Sequence, residues 1–396
     1  MNLSSTVSTG SAWAWPRRVD EGVATIEDTD RGAKIGLRWA MGPFELMNRL
    51  GIDKTHAVVS EVAARYADFS MPKILKEQKA LGEPFAFNFV DLEIKDQIAT
   101  ITLNRPEAMN ALNEAVVAQL DERFSEAESN PDVKAIVFQG AGKAFVAGAD
   151  IRYFVQNIKA DQIDKIVAFT RKGHELLLRI ENSPKLTIAL LDGLSLGGGS
   201  ELALACQAIV ATPSGSIAFP ETAIGIYPGL GGMLRMARQV GPELAKYYVF
   251  TGLPLKAKDA TDLGIFTRLV SPAEVPKAVA ELAATGSVDK YASRAIPEKF
   301  SPLAETFSAD NVARLLSGQP PEGVDEALAT KTVKLVGYKA PLALNMANEI
   351  IDAQQGKPIP NAVEVELSRL AEIFATEDAL EGLSSAGRRR PEFKGA

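Results

Sequence analysis

Two glycine-bearing junctions and two glutamates are the places where residue types and spacing in this sequence can do chemistry. Lys143-Ala144-Phe145-Val146-Ala147-Gly148-Ala149-Asp150 follows one apolar run, and Leu196-Gly197-Gly198-Gly199-Ser200-Glu201 follows another. Each reads as a loop opening a helix. The first N–H groups of a helix have no intrahelical acceptor, so both junctions can offer backbone donors to an oxyanion. Two such donors converging on one carbonyl oxygen would stabilise an enolate-like anion, commonly the largest single catalytic effect. Glycine lets a ligand approach the backbone without a Cβ in the way. Glu201 falls in the first turn after the triple glycine, and Glu221 follows in Phe219-Pro220-Glu221-Thr222. A carboxylate pair facing one pocket can divide general-base and general-acid work. Each acid also has a plain structural role open to it. The helix dipole favours an acid in a first turn, and Pro-Glu often just starts a turn.

Other motif-like stretches fail on their own chemistry. Gly193-Leu194-Ser195-Leu196-Gly197 fits a nucleophile elbow, but that arrangement needs its histidine after the serine, and both His56 and His174 precede Ser195. Gly140-Ala141-Gly142-Lys143 has the wrong spacing for a phosphate loop, with Ala144 where Ser or Thr is needed. Gly229-Leu230-Gly231-Gly232 is not a dinucleotide fingerprint, and no strand leads directly into it. The two histidines read as structural or exposed, and two are too few for a three-histidine metal site. The single cysteine, Cys206, reads as core, which excludes an intrachain disulfide or a CxxC pair. A net charge of −7 is a poor match for a polyanion, so neither nucleic acid nor a membrane surface is expected as partner. No run approaches the ~20 apolar residues of a membrane span, and the N-terminus lacks the pattern of a signal peptide. A cytoplasmic protein is the expectation. With 396 residues and 46% hydrophobic content the chain can bury a large core, enough for two to three domains.

The elements that must position the candidate groups alternate along the chain. Residues 1–20, with Trp13 and Trp15, read as a flexible or docked arm. Residues 21–86 read as helical, with a turn at Met41-Gly42-Pro43 and helices over 44–50 and 55–66. Val58, Val59, Val62 and Ala63 make an apolar stripe on the second of these helices. All three tryptophans, Trp39 included, lie in the first forty residues, pointing to a separate module. A β-hairpin is expected over 90–94 and 98–103, a helix over 110–128 and a buried strand over 135–138. Helices follow from about 150 and over 162–181. Next come a strand over 186–191, a glycine-rich turn, a helix from 200 and short strands over 208–211 and 216–219. Such alternation indicates an α/β domain with helices packed on sheets. Residues 285–335, with Pro297, Pro302, Pro320 and Pro321, read as an insertion or linker. Helices over 341–354 and 362–381 precede a basic tail at Arg388, Arg389 and Arg390.

Seven blocks stand in order along the chain: Ile101-Thr102-Leu103-Asn104-Arg105-Pro106, Met109-Asn110-Ala111-Leu112, Ala147-Gly148-Ala149-Asp150-Ile151, Gly197-Gly198-Gly199-Ser200-Glu201-Leu202-Ala203, Phe219-Pro220-Glu221, the run from Gly225 to Gly232, and the run from Phe374 to Gly382. Through them residues 88–284 and 336–396 resemble the crotonase (enoyl-CoA hydratase/isomerase) superfamily. The resemblance implies an α/β crotonase domain, a ClpP-like ββα superhelix, here with an N-terminal helical module and C-terminal helices. It implies an acyl-CoA substrate whose thioester oxygen lies between the N–H groups of Ala149 and Gly198. Glu201 would activate a water that adds at C3 of a 2-enoyl-CoA, and Glu221 would deliver or take the proton at C2. Ala147, Asp150, Ile151 and Gly197 would line the substrate, and Arg388 would meet the coenzyme A phosphates. No metal and no separate cofactor is implied, coenzyme A being part of the substrate, and the assembly implied is a homotrimer or hexamer. Tyr153 and Phe154 would line the acyl pocket or pack in the core. Two departures stand out. The usual Gly-Gly-Thr-Gln-Arg block is Gly231-Gly232-Met233-Leu234-Arg235, and the C-terminal block runs Ser384-Ser385-Ala386-Gly387-Arg388. Rival activities are a Δ3,Δ2-enoyl-CoA isomerase, for which one carboxylate suffices, and a thioester hydrolase. A rival of another kind is a structural subunit of a dehydrogenase complex.

The run from Gly36 to Leu46, then Leu50-Gly51-Ile52-Asp53 and Met71-Pro72-Lys73-Ile74-Leu75-Lys76, looks like the last helical segment of 3-hydroxyacyl-CoA dehydrogenases. Residues 1–87 are therefore expected to be a dehydrogenase-like remnant without an NAD site. They would either dock to a dehydrogenase or mark a truncated fusion. Residues 88–284 form the expected crotonase core, and 336–396 its helical end.

Overall fold

Runs such as Ala135-Ile136-Val137-Phe138 have no polar face to give to water, so they belong in a sheet covered on both sides. The computed structural model describes residues 14–292 and 294–396, and the chain divides into two compact units, Met1–Asn88 and Phe89–Ala396. Trp13 lies outside the described residues.

The first unit holds α1 (Ala14–Asp20), α2 (Ile26–Gly36), α3 (Pro43–Leu50), α4 (Ile52–Arg65) and α5 (Lys73–Leu81). Its core gathers Phe44, Met47, Ile52, Val59, Leu75 and Phe85. The buried Asp30 accepts from the N–H groups of Phe44 and Glu45 (2.7 and 2.9 Å), capping the open start of α3. Helix α4 starts three residues before the expected 55, and its buried side is Ile52, Thr55 and Val59. Val58, expected on that stripe, points outward.

The second unit begins with β1 (Val90–Lys95), β2 (Ile98–Leu103), α6 (Glu114–Ser129), β3 (Ala135–Gly140), β4 (Ala144–Ala147), α7 (Ile151–Lys159) and α8 (Ile163–Glu181). It continues through β5 (Leu186–Leu191), β6 (Leu194–Leu196), α9 (Gly198–Ala205), β7 (Ala208–Ala211), β8 (Ser216–Ala218), α10 (Gly232–Val240), α11 (Pro242–Thr251), β9 (Leu255–Lys256), α12 (Ala257–Asp262), β10 (Arg268–Leu269) and α13 (Val275–Thr285). The strands form a six-stranded sheet, β1-β2-β3-β5-β7-β10, and a four-stranded sheet, β4-β6-β8-β9. From β3 onward the chain lays one strand in each sheet and then a helix, and repeats the step through β5, β6 and α9. This is the ββα superhelix of the α/β fold expected from the sequence.

Helix α6 starts later than expected, at Glu114, with Asn113 as its N-cap. The cause is Asn110, which is fully buried with φ 58° and spends its amide on the carbonyls of Ala141, Ala144 and Phe145. Residues 285–335 fold into α14 (Ser301–Thr306), α15 (Ala309–Leu316) and most of α16 (Glu326–Val336). Phe300, Phe307, Val312 and Leu315 from this stretch join the main core. The chain ends in α17 (Pro341–Gln354), α18 (Ile359–Ser368), α19 (Leu370–Phe374) and α20 (Glu377–Ser385), so the helix expected over 362–381 is three short ones.

Candidate active site

Strands β4 and β6 are parallel neighbours with Ala147 opposite Leu196. Two residues further along each strand stand Ala149 and Gly198, at the starts of α7 and α9. Leu112 pairs alongside, donating to Gly148 O and accepting from the Asp150 N–H, which leaves the Ala149 N–H between them. Among the described residues neither the Ala149 nor the Gly198 N–H has an acceptor. The strand expected to be a plain loop at 143–150, and the short β6 inside the expected glycine-rich turn, are what bring the two amides together.

Glycine is required at two points here. Gly197 sits at φ 46°, ψ −121°, and a Cβ on it would collide with Oε1 of Glu221. A Cβ on Gly199 would fall on the Val146 carbonyl, so α9 reaches β4 only through glycine. Ser200 anchors the same helix start, its Oγ accepting from the Ala218 N–H (3.1 Å) with Ser195 O and Ala218 O each 3.0 Å away.

A cavity of about 510 Å³ opens beside these junctions. Ala147, Ala149, Ile151, Gly197, Gly198, Glu201 and Glu221 all line it. Its remaining walls are apolar, with Leu112, Val117, Leu120, Phe154, Phe169, Leu176 and Leu177 among them. Both glutamates are buried, at 2% and 8% exposure. Oε1 of Glu201 accepts from the N–H groups of Leu230 and Gly232 (2.7 and 2.9 Å). Oε2 of Glu221 has no hydrogen-bond partner. Burial pushes both carboxyls up, Glu201 well above its ordinary range and Glu221 to about 8. The neighbouring acids Glu221 and Glu366 add to the rise at Glu201, as Glu366 does at Glu221. Two buried carboxylates without a cation cannot both ionise at neutral pH. Two amide donors stabilise charge on Glu201 against its burial, whereas Oε2 of Glu221 has no donor.

Asp150 and Arg388 do not line the cavity. Asp150 caps α7, accepting from the Arg152 N–H and pairing with the side chains of Arg152 and Arg105, and together these outweigh its burial and hold its carboxyl below the ordinary range. Arg388 is exposed, next to the cavity-lining Ala386 and Gly387. The Tyr153–Phe154 pair splits. Phe154 faces the cavity, whereas Tyr153 donates its hydroxyl to Glu114 (3.2 Å). Ser195 is wholly buried in β6, not on an elbow. The Cys206 thiol is pushed up to about 12 by burial, in keeping with core. His174, read as structural or exposed, is buried, and with it comes a third buried acid that sequence reasoning missed, Glu366. The available signal was a charge on the apolar stripe of α18, among Ala362, Val363 and Leu367.

A family profile described as Enoyl-CoA hydratase/isomerase matches residues 98–393, and one described as 3-hydroxyacyl-CoA dehydrogenase, C-terminal domain, matches residues 14–84. The chain is 36% identical over 197 residues to a short-chain-enoyl-CoA hydratase of Clostridium acetobutylicum, covering 50% of this chain and 74% of that protein. It is 29% identical over 309 residues to a probable enoyl-CoA hydratase of Bacillus subtilis, covering 78% and 99%. The structure of an enoyl-CoA hydratase from Rhodobacter sphaeroides superposes with a TM-score of 0.66 at 28% identity, over 78% of this chain and 93% of that one. The chain therefore belongs to the enoyl-CoA hydratase/isomerase family, has the crotonase fold and is an enzyme of the hydro-lyase type. Among the described residues no helix is long and apolar enough to cross a membrane.

Proposed function

We propose that the protein adds water across the 2,3 double bond of a 2-enoyl-CoA to give a 3-hydroxyacyl-CoA. The observation that carries this is the unequal pair of buried acids beside two unused amides. The ionised Glu201 takes a proton from water as its oxygen bonds to C3. The double-bond electrons move to C2, and the thioester oxygen gains negative charge between the N–H groups of Ala149 and Gly198. Glu221, holding a proton at neutral pH, gives it to C2 as the carbonyl re-forms, and the two acids then exchange protons with solvent to reset. Every group these steps use is on the chain or in the substrate, so no metal and no separate cofactor is invoked. The apolar walls suit an acyl chain without polar groups.

Arg388 beside the cavity is assigned to the coenzyme A phosphates. The assembly is proposed to be a trimer or paired trimers, readable by light scattering. Residues 1–87 are proposed to dock a dehydrogenase, and co-migration with 3-hydroxyacyl-CoA dehydrogenases tests that. The site of action is proposed to be the cytoplasm, in line with the acidic charge balance.

The activity is tested by water addition to 2-enoyl-CoAs of increasing chain length, with Glu201→Gln and Glu221→Gln alongside. Each variant is expected to lose ~10²–10⁴ in kcat, the range for a general acid or base. Double-bond migration without hydration, or release of free coenzyme A, would replace the reading with isomerase or hydrolase.

A further inference from the structure

Glu201 is held by a loop that is itself held from the far side. The N–H groups of Leu230 and Gly232 point to Oε1 of Glu201, while the N–H between them, on Gly231, points the other way to Oε1 of Glu366 at 2.7 Å. Glu366 is fully buried on α18. Nε2 of His174, on α8, lies 2.9 Å from the Gly229 carbonyl and 3.3 Å from the same Glu366 oxygen. A carbonyl only accepts, so Nε2 carries the hydrogen. The hydroxyl of Tyr227, whose side chain lines the cavity, donates to the Glu366 backbone carbonyl at 2.8 Å. The loop 229–232 is thus clamped between two carboxylates, its successive amides alternating between them.

A carboxyl group is an expensive choice for tying down one amide beside two other buried acids, because burying an ionisable side chain is unfavourable unless it is fully compensated. The placement makes sense if the geometry of the loop matters more than its stability.

We propose that Glu366 and His174 are positioning residues for the hydration step, fixing loop 229–232 so that its two outer amides hold one oxygen of Glu201 and leave the other aimed at the attacking water. This rests on the reading of Glu201 as the general base. Neither residue lines the cavity, so the effect should fall on turnover and spare binding.

The test is kcat and KM for hydration of a 2-enoyl-CoA by the full chain carrying Glu366→Leu, Glu366→Gln or His174→Phe. Glu366→Leu removes the acceptor for Gly231, and misplacement of the base is expected to lower kcat by ~10²-fold, with KM moving by less than about threefold. Glu366→Gln keeps an oxygen for that amide and is expected to restore most of kcat. In a Glu201→Gln background Glu366→Leu should cause little further loss, since the two act as one unit. A folded Glu366→Leu protein with wild-type kcat, or one whose loss repeats in full in the Glu201→Gln background, overturns the proposal. Should the leucine variant fail to fold, His174→Phe decides alone. A fall in kcat of ~10-fold at steady KM supports the proposal, and an unchanged kcat rejects it. Full activity in Glu201→Gln would instead sink the functional reading underneath.

Discussion

Two buried charge clusters lie close together in the second unit and have been given opposite fates. In one, Glu181 on α8 meets the guanidinium of Arg235 (2.8 Å), the ammonium of Lys290 (2.7 Å) and the hydroxyl of Tyr291 (2.7 Å). Burial alone would raise this carboxyl, but the two cations outweigh it and hold it down at about 2. In the other, Glu201 and Glu221 are buried with no Lys or Arg paired to them among the described residues, and both are pushed upward. Equal burial therefore yields a permanent ion pair in one place and an exchangeable proton in the other, and the difference is the counter-charge. The paired cluster serves the unpaired one. Arg235 also donates to the carbonyls of Leu230 and Gly231 (3.2 and 3.4 Å), in the loop that holds Glu201. Lys290 donates to Leu204, Ala205 and Cys206 at the C-terminal end of α9, the helix whose other end offers the Gly198 amide.

Mutations that move a residue from one category to the other test this contrast. The largest effect expected is on rate. Glu221→Gln should cost ~10²–10⁴ in kcat while leaving thermal stability at neutral pH nearly unchanged, because it replaces a buried carboxyl that is already uncharged with a near-isosteric amide. Calorimetry beside the hydration assay checks both. Glu181→Ala should do the reverse in kind, costing ~3–5 kcal/mol of stability by stranding Arg235 and Lys290, visible as a drop in the denaturant midpoint.

The pH dependence of stability should carry opposite signs. Glu221 keeps its proton in the folded chain up to about 8 against an ordinary 4.5, so the folded state binds more protons across that window and stability falls as pH rises through it. Glu181 is depressed to about 2, so its contribution is present above 4.5 and is lost as pH falls toward 2. Denaturation at a series of pH values should show Glu221→Gln flattening the upper slope and Glu181→Gln the lower one. The smallest effect belongs to the surface. Arg388→Ala should raise KM about fivefold or less, in line with an exposed charge pair, and lose that effect in high salt.

Much of the site was legible because its signals are local. Gly197 to Glu201 form one stretch of chain, and Glu221 directly follows a Phe-Pro turn. Strands β4 and β6 escaped because three or four residues carry too little periodicity to separate strand from turn. Asp150 has two roles open to an acid before a helix, and the structure gives it the capping one. Glu366 was missed for a different reason. Its place on the apolar stripe of α18 marks it as turned inward, but its partner amide on Gly231 is 135 residues away, so nothing local says what it holds. The prolines of residues 285–335 do not keep the stretch from folding: Pro302 stands in the first turn of α14, where a missing N–H costs nothing, and Pro320 and Pro321 lie in the connection between α15 and α16.

The central claim is that an unpaired buried acid at Glu221 holds the proton that the reaction needs. The most direct measurement is kcat/KM for 2-enoyl-CoA hydration as a function of pH, which reports the acid of the free enzyme. A rate that falls as pH rises through about 8 is the expected result. A rate that stays level well beyond that pH, in a protein still folded, would contradict it.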